Sequence, residues 1–333
     1  MKAVIVERNN KVGIWDIPEP KASDYQAKVK VIAGSLCNST DTKILHGEFA
    51  GPHPVILGHE VVGEVVETGS KVRMYKKGDL VVRPRVTAYP ELELGTAFGS
   101  FVEYGLVTDE FAREEDEGSK RQRMPNQTRA DPSWDPLALV QTITLKETLS
   151  FLKNLGVEEG DAILIFGTGP VGLSFSIWAR HLGCDPVIVV GRRDEACRKA
   201  LDFGRATHVI NNQGENVVNS VRRIAGEGVK FSIEAIGENA VLRDCLECLK
   251  TGGEIGIYGV SPNSQGKSPL LQDPRVSKAR PDEGAVDQEV LEAVKKGLIP
   301  AREFVTHELK FEECEHAFQL LAEKKAFKIG FSF

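Results

Sequence analysis

Apolar residues change their rhythm twice along the chain. From Met1 to about Thr108 they come in short runs of β character, Lys2 to Glu7, Ala27 to Ile32, Val61 to Thr68, Leu80 to Val86 and Ser100 to Val107, divided by Gly and Pro. Such runs predict an irregular antiparallel sheet or barrel, and Lys77-Gly78-Asp79 predicts the tight turn feeding Leu80-Val81-Val82. Between Glu110 and Arg123 charge is dense and apolar residues are few, the pattern of a solvated loop, with a lid or docking role as the alternative. Turn residues occupy Pro125 to Asp135. The spacing then becomes helical, with Leu145, Leu149, Leu152 and Leu155 on one face of a helix over Leu137 to Leu155.

After Gly156 the rhythm changes again. Ala162 to Phe166 and Pro186 to Val190 are continuous apolar runs, suited to strands buried on both faces. Further strands are predicted at His208 to Ile210, Phe231 to Ala235 and Glu254 to Val260, with helices at Leu173 to Leu182, Glu195 to Phe203, Glu215 to Ala225 and Ala240 to Leu249. Strands alternating with helices predict an α/β fold built on a doubly wound parallel sheet. From about Ala279 two helical segments flank a strand-like Phe304-Val305-Thr306-His307, and this tail is expected to return to the first domain. The expected division is therefore 1–137 with 279–333 as one domain and 138–278 as the other.

Composition agrees with two domains, because 333 residues exceed the size at which one core usually keeps growing. Hydrophobic residues at 41% and charged residues at 27% are values of a globular protein. The net charge of −6, with Lys and Arg spread along the chain, argues against nucleic acid or a membrane surface as partner and leaves small molecules. Met1 to Arg8 turns charged after four apolar residues, too few for a signal-peptide core, and no apolar run approaches the roughly 20 residues that span a bilayer, so a cytoplasmic protein is expected. The six scattered cysteines do not resemble a secreted disulfide framework and are read as reduced thiols.

Two stretches carry candidate chemistry. His59 and Glu60 stand side by side in the apolar run Leu57-Gly58-His59-Glu60-Val61-Val62-Gly63, where burying them is costly unless a cation pairs with them; a polar turn at a strand end is the plainer alternative. Cys37 is the thiol within the same segment. The second stretch is Gly167-Thr168-Gly169-Pro170-Val171-Gly172, directly after a buried strand and opening a helix. There Gly167 permits a tight turn, Gly169 lets a pyrophosphate approach the backbone, Gly172 lets helix and strand pack closely, and the helix N-terminus, beginning with Pro170 and Val171, supplies positive potential. About twenty residues on, where an acid would bind the adenosine ribose hydroxyls, stand Gly191, Arg192 and Arg193. Loss of the carboxylate and gain of two guanidiniums suit a 2'-phosphate, so NADP is expected over NAD, with solvated arginines and dual specificity as the alternative.

Gly58-His59-Glu60-x-x-Gly63-x5-Gly69-x-x-Val72, with Cys37 upstream, resembles the zinc signature of the medium-chain alcohol dehydrogenases. The resemblance runs over nearly the whole chain, through Gly78-Asp79, Phe101-Val102-Glu103-Tyr104, Gly156-Val157-Glu158-Glu159-Gly160-Asp161 and Phe304-Val305-Thr306-His307. It implies a GroES-like catalytic domain formed by the two ends of the chain around a Rossmann domain. It also implies a catalytic zinc held by Cys37 and His59, with Glu60 as a companion or exchanging ligand; this ligand set is carried over from the family and not deduced from spacing. Gln141, after Ala138-Leu139-Val140, stands where relatives place a third ligand, a helix-capping role being its alternative. The family's second, structural zinc needs closely spaced cysteines, and no Cys lies between Cys37 and Cys184, so that site is expected to be absent. Cys245-x-x-Cys248 is read as packed thiols. Ser39 would carry the substrate proton, but in Cys37-Asn38-Ser39-Thr40-Asp41 the acid lies one place later than in many relatives, Thr42 replaces the His that ends the relay, and His46 is the substitute.

The implied activity is hydride transfer between NADP and a secondary or primary alcohol. The tail and the missing structural-zinc cysteines resemble the polyol, sugar and threonine dehydrogenase branch, so a polyol, sugar or cyclitol comes first and a small aliphatic alcohol or ketone second. Rival readings are a zinc-free quinone or enoyl reductase, a lyase that uses its nicotinamide internally, and a non-catalytic binding protein. A homodimer or homotetramer is expected from the family, with Glu254 to Val260 as the pairing strand.

Overall fold

The computed structural model describes residues 1–7, 11–48, 54–118, 127–259 and 268–333. They form two compact units, Met1–Ile143 with Pro300–Phe333, and Thr144–Ile299. In chain order come β1 (Lys2–Val6), β2 (Val12–Asp16), β3 (Gln26–Leu36), α1 (Thr40–Leu45), β4 (Val55–Ile56), β5 (Val61–Thr68), β6 (Leu80–Val82), β7 (Gly95–Thr96), β8 (Tyr104–Thr108), α2 (Glu110–Glu117), β9 (Arg129–Ala130) and α3 (Pro136–Leu155). The second unit takes the end of α3, then β10 (Ile163–Phe166), α4 (Pro170–His181), β11 (Val187–Gly191), α5 (Asp194–Asp202), β12 (His208–Asn211), α6 (Val217–Ala225), β13 (Val229–Glu234), α7 (Asn239–Glu247), β14 (Leu249–Ile257) and α8 (Asp287–Lys295). With β15 (His307–Lys310), α9 (Cys314–Ala322) and β16 (Ile329–Ser332) the chain is back in the first unit.

In the first unit β3 is the organising strand. It lies in the order β15-β16-β3-β5-β6-β9, with β8 also paired to it, and a smaller sheet runs β2-β1-β4-β7. Alternation explains its place: Ala27, Val29, Val31 and Ala33 turn inward and are buried. The larger apolar cluster, which includes Ile5, Leu36, Ile56, Phe101, Phe311 and Phe331, joins the two ends of the chain in one core. Such a core has to form from residues far apart in sequence.

The second unit is a parallel sheet in the order β12-β11-β10-β13-β14. Its central strand, Ile163 to Phe166, is almost wholly buried, and so is β11 beside it, which is what their unbroken apolar sequence requires. At the β14 edge, residues 275–277 already meet the strand: Ile255 N–H donates to Arg275 O and Ser277 N–H to Ile255 O, at 2.8 and 2.9 Å. The expected pairing strand Glu254 to Val260 is thus partly covered, and its last residue lies outside the described ones.

Three expectations change. Glu110 to Glu117 is a helix and not a solvated loop, while residues 119–126 lie outside the described ones. Its cause is Asp109, buried at the N-cap, whose carboxylate accepts the Ala112 N–H at 2.9 Å and the Arg73 and Met74 N–H groups at 2.7 Å. Arg73 then bridges Glu115 and Asp116. Asp109→Ala should lower the unfolding free energy by about 2 kcal/mol or more, since a cap is lost and buried N–H groups go unpaired; thermal melts of the variant would read this as an earlier transition.

Phe304 to His307 is likewise not a strand: a 3-10 turn over Ala301–Phe304 precedes β15, where the backbone pairing begins only at His307. Finally, the units divide at Ile143/Thr144 and Ile299/Pro300, later than the 137/138 and 278/279 boundaries read from the sequence. Residues 279–299 stay with the parallel sheet because α3 holds them. Buried Lys146 pairs with Asp287, Lys153 with Glu289 at 2.5 Å, and Asn154 Nδ2 donates to Arg280 O at 2.7 Å.

Candidate metal and dinucleotide sites

Strand register brings the metal-ligand candidates together. Gly34 of β3 lies opposite Val61 of β5, and Ser35 N–H donates to Glu60 O at 2.8 Å, so Cys37, just past the end of β3, comes beside His59 and Glu60. At Gly58 the backbone has φ 97°, and a Cβ there would lie 2.3 Å from the Phe101 ring. Only glycine makes that turn, and it is the turn that presents His59. The Cys37 Sγ, His59 nitrogen and Glu60 carboxylate oxygen all lie within 4.8 Å of one another, a donor set with the reach and chemistry of a zinc site.

Groups around this cluster orient it. Asp41, fully buried, accepts the Cys37 backbone N–H at 2.9 Å through one oxygen and places the other 3.5 Å from His59 Nδ1, which leaves Nε2 toward Glu60 at 3.9 Å. At that distance the contact is electrostatic, with neither atom hydrogen-bonded among the described residues, and a carboxylate beside one ring nitrogen is a usual companion of a metal-binding His. Burial by itself would lower the pKa of His59, but the Asp41 charge and the Cys37 thiol outweigh it, and the pKa is raised well above 6.5. The negative charge that Asp41 brings to the back of His59 is the kind of charge a bound cation would balance.

Lys328, the residue just before β16, is buried and its ammonium lies 2.6 Å from Glu60 Oε2. Burial again opposes its charge, yet Glu60 and Cys37 raise its pKa above the ordinary 10.5. Asn38 Nδ2 donates to Phe327 O at 2.7 Å and ties this strand end to the Cys37 segment. Phe98, 51% exposed, packs against His59 with ring centroids 4.8 Å apart.

Reading the sequence had missed Lys328 and Phe98. The only local sign of Lys328 is a Lys between Phe327 and Ile329 at the head of an apolar strand. Asp41, displaced by one place from the family pattern, nevertheless reaches both Cys37 and His59.

The remaining candidates are placed as follows. Ser39 is exposed at the head of α1 and makes no capping bond through its side chain, and His46 is exposed at the far end of that helix. Gln141 is buried within α3 and not at its start, so it is not a cap, and its Nε2 has no hydrogen-bond partner among the described residues. Helix α3 is started instead by Asp135, whose carboxylate accepts the Ala138 N–H at 2.7 Å. Cys245 and Cys248 are buried thiols, with burial pushing the first well above its ordinary pKa and the second up to about 12.

In the parallel sheet the glycine-rich turn joins β10 to α4. A Cβ on Gly172 would lie 2.0 Å from Gly167 O, which is the close packing of turn and helix expected there, whereas the space beside Gly169 is open. Gly169 is the N-cap of α4 with no side-chain cap, and Pro170 and Val171 begin the helix, so its first N–H groups are available to an anion. These features fit a dinucleotide pyrophosphate. Gly191 ends β11 against the same turn: a Cβ there would lie 2.7 Å from Thr168 Cγ2 and 3.0 Å from Cys197 Sγ. Arg192 pairs with Glu238, and Arg193, at the N-cap of α5, has no ion-pair partner among the described residues.

A thiol, an imidazole and a carboxylate gathered in one unit, with a phosphate-binding turn on a parallel sheet in the other, define the class of zinc-binding dehydrogenases. Two family models match the chain, Alcohol dehydrogenase GroES-like domain over residues 23–114 and Zinc-binding dehydrogenase over residues 170–279. The chain belongs to the zinc-containing medium-chain alcohol dehydrogenase family and is an oxidoreductase of that family. It is 30% identical over 284 residues to an NADP-dependent isopropanol dehydrogenase of Clostridium beijerinckii, covering 83% of this chain and 80% of that protein. It is 28% identical to a sorbitol dehydrogenase of Bacillus subtilis (strain 168), over 81% of this chain and 77% of the other. Among solved structures, alcohol dehydrogenase TADH from Thermus sp. ATN1 superposes with a TM-score of 0.83 at 24% identity, covering all of both chains, and speaks to the fold. No helix among the described residues is long and apolar enough to cross a membrane.

Proposed function

We propose that the protein catalyses reversible, zinc-dependent hydride transfer between a secondary or primary alcohol and NADP, with a polyol, sugar or cyclitol as the first substrate class. The observation that carries this reading is the convergence of Cys37, His59 and Glu60 within 4.8 Å. Cys37 and His59 would hold the zinc, Gln141 would offer its amide as a further neutral ligand, and Glu60 would be the exchanging companion. When bound, zinc supplies Lewis acidity that lowers the pKa of the alcohol, and NADP supplies the hydride acceptor. The chain's own residues do the rest. Asp41 holds the His59 ring in orientation, Lys328 keeps Glu60 paired with a cation other than the metal, and the exposed Ser39 hydroxyl accepts the substrate proton and passes it to solvent. Gly167, Gly169, Pro170, Val171 and Gly172 bind the pyrophosphate, while Gly191, Arg192 and Arg193 receive the adenosine 2'-phosphate.

A second substrate class is favoured by Phe98. Its exposed ring against His59 offers an apolar surface beside the reacting hydroxyl, which suits small aliphatic alcohols and ketones better than a polyol. A panel of polyols, sugars and simple alcohols, followed by NADPH absorbance with zinc measured on the same sample, separates the two. Turnover of at least one class with zinc present is expected; full turnover in metal-free protein would point to the zinc-free reductases. A homodimer or homotetramer belongs to the same reading, and light scattering on the purified protein tests it.

A further inference from the structure

We propose that Glu238 is a built-in competitor for the cofactor's 2'-phosphate and sets how strongly this enzyme discriminates NADP from NAD. The inference rests on the NADP reading above. Arg192 Nη2 lies 3.0 Å from each carboxylate oxygen of Glu238, so one of the two guanidiniums at the end of β11 is already neutralised by the protein. The pair is half exposed on both sides, at 56% and 48%, and is therefore open to exchange with a ligand.

Two features indicate that Glu238 is held for this contact. It is the N-cap residue of α7, yet its side chain caps nothing in its own helix and turns to Arg192 instead. The loop that delivers it is fixed from below: buried Glu234, at the end of β13, accepts the N–H groups of Ile236 and Gly237 at 2.8 and 2.6 Å. Gly259 packs so closely that a Cβ there would lie 2.3 Å from Gly237 N. The carboxylate is thus presented by a braced turn beside the place where an acid at residue 191 is sterically refused.

A 2'-phosphate carries about −1.5 to −2 charges and faces two opposed effects here. Arg193 attracts it without any ion-pair partner among the described residues, whereas Arg192 must first release Glu238, which also repels the phosphate. NAD has only a hydroxyl at that position and is indifferent to the pair. Glu238 therefore weakens NADP binding selectively and leaves NAD binding as it is.

Calorimetric titration with adenosine 2',5'-bisphosphate and adenosine 5'-monophosphate tests this without reference to turnover. Glu238→Gln should bind the bisphosphate about fivefold more tightly, the worth of an exposed ion pair released, with the monophosphate unchanged. In an Arg192→Ala background the effect of Glu238→Gln should shrink below about twofold, because the two act through one contact. Unchanged or weaker bisphosphate binding overturns the proposal, as does a gain that persists without Arg192, which would be bulk charge alone. Weaker monophosphate binding also overturns it, since Glu238 would then be the acceptor of the ribose hydroxyls. If wild type and Glu238→Gln both bind the two probes alike, the NADP reading itself fails; a wild type that prefers the bisphosphate with no effect of Glu238 overturns this inference alone.

Discussion

Replacement of Cys37 by Ala should remove bound zinc and lower turnover by about a thousandfold or more, the equivalent of losing several kcal/mol of Lewis-acid stabilisation. The thiol is the softest donor in the cluster, and no other cysteine among the described residues joins it, so no neighbour replaces it. His59 and Glu60 would be left with the carboxylate of Asp41 behind them, a set of harder ligands that holds zinc less firmly. Binding of NADP should survive, because the glycine-rich turn belongs to the other compact unit and owes nothing to Cys37. The decisive measurement is metal content by elemental analysis beside a titration with NADPH fluorescence. Loss of zinc with cofactor affinity retained is the expected pair of results; retained zinc with retained turnover would remove Cys37 from the metal site.

How far each feature could be read in advance follows from how local its cause is. The central strands of the parallel sheet were legible because burial on both faces leaves an unbroken apolar run, as in Ile163 to Phe166. The glycine-rich turn was legible for a similar reason, since the strand, the turn and the helix are consecutive. Helix α2 was not, because its charges look solvated until Arg73 and the buried cap Asp109 are brought to it by the fold. Two-residue strands such as β4 and β7 exist only by pairing with distant partners and have no pattern of their own. The same division runs through the metal cluster. His59 and Glu60 are adjacent and advertise themselves, while Lys328 arrives just before the last strand, beside β3, and becomes visible only through the register that sets Ile329 opposite Leu36.

That hidden residue carries the second large effect. Lys328→Met, similar in length but uncharged, should destabilise the metal-free protein by about 3–5 kcal/mol, because it breaks a buried ion pair and leaves the Glu60 carboxylate without its ammonium. The raised pKa of Lys328 fixes the pH range of the pair. A cation whose folded pKa lies above the ordinary 10.5 contributes fully at neutral pH, and that stability is lost only as pH rises through the raised value. Zinc changes the balance, since a divalent ion beside Cys37 and His59 supplies the counter-charge that Glu60 has lost. The melting temperature of the variant should therefore rise more on zinc addition than that of the wild type, by linkage between metal binding and folding. Equal zinc-induced shifts in the two proteins would mean that Glu60 is satisfied without either cation. A larger shift in Lys328→Met would identify the ammonium as the group that competes with the metal for Glu60, and so as the residue that keeps this carboxylate available for exchange.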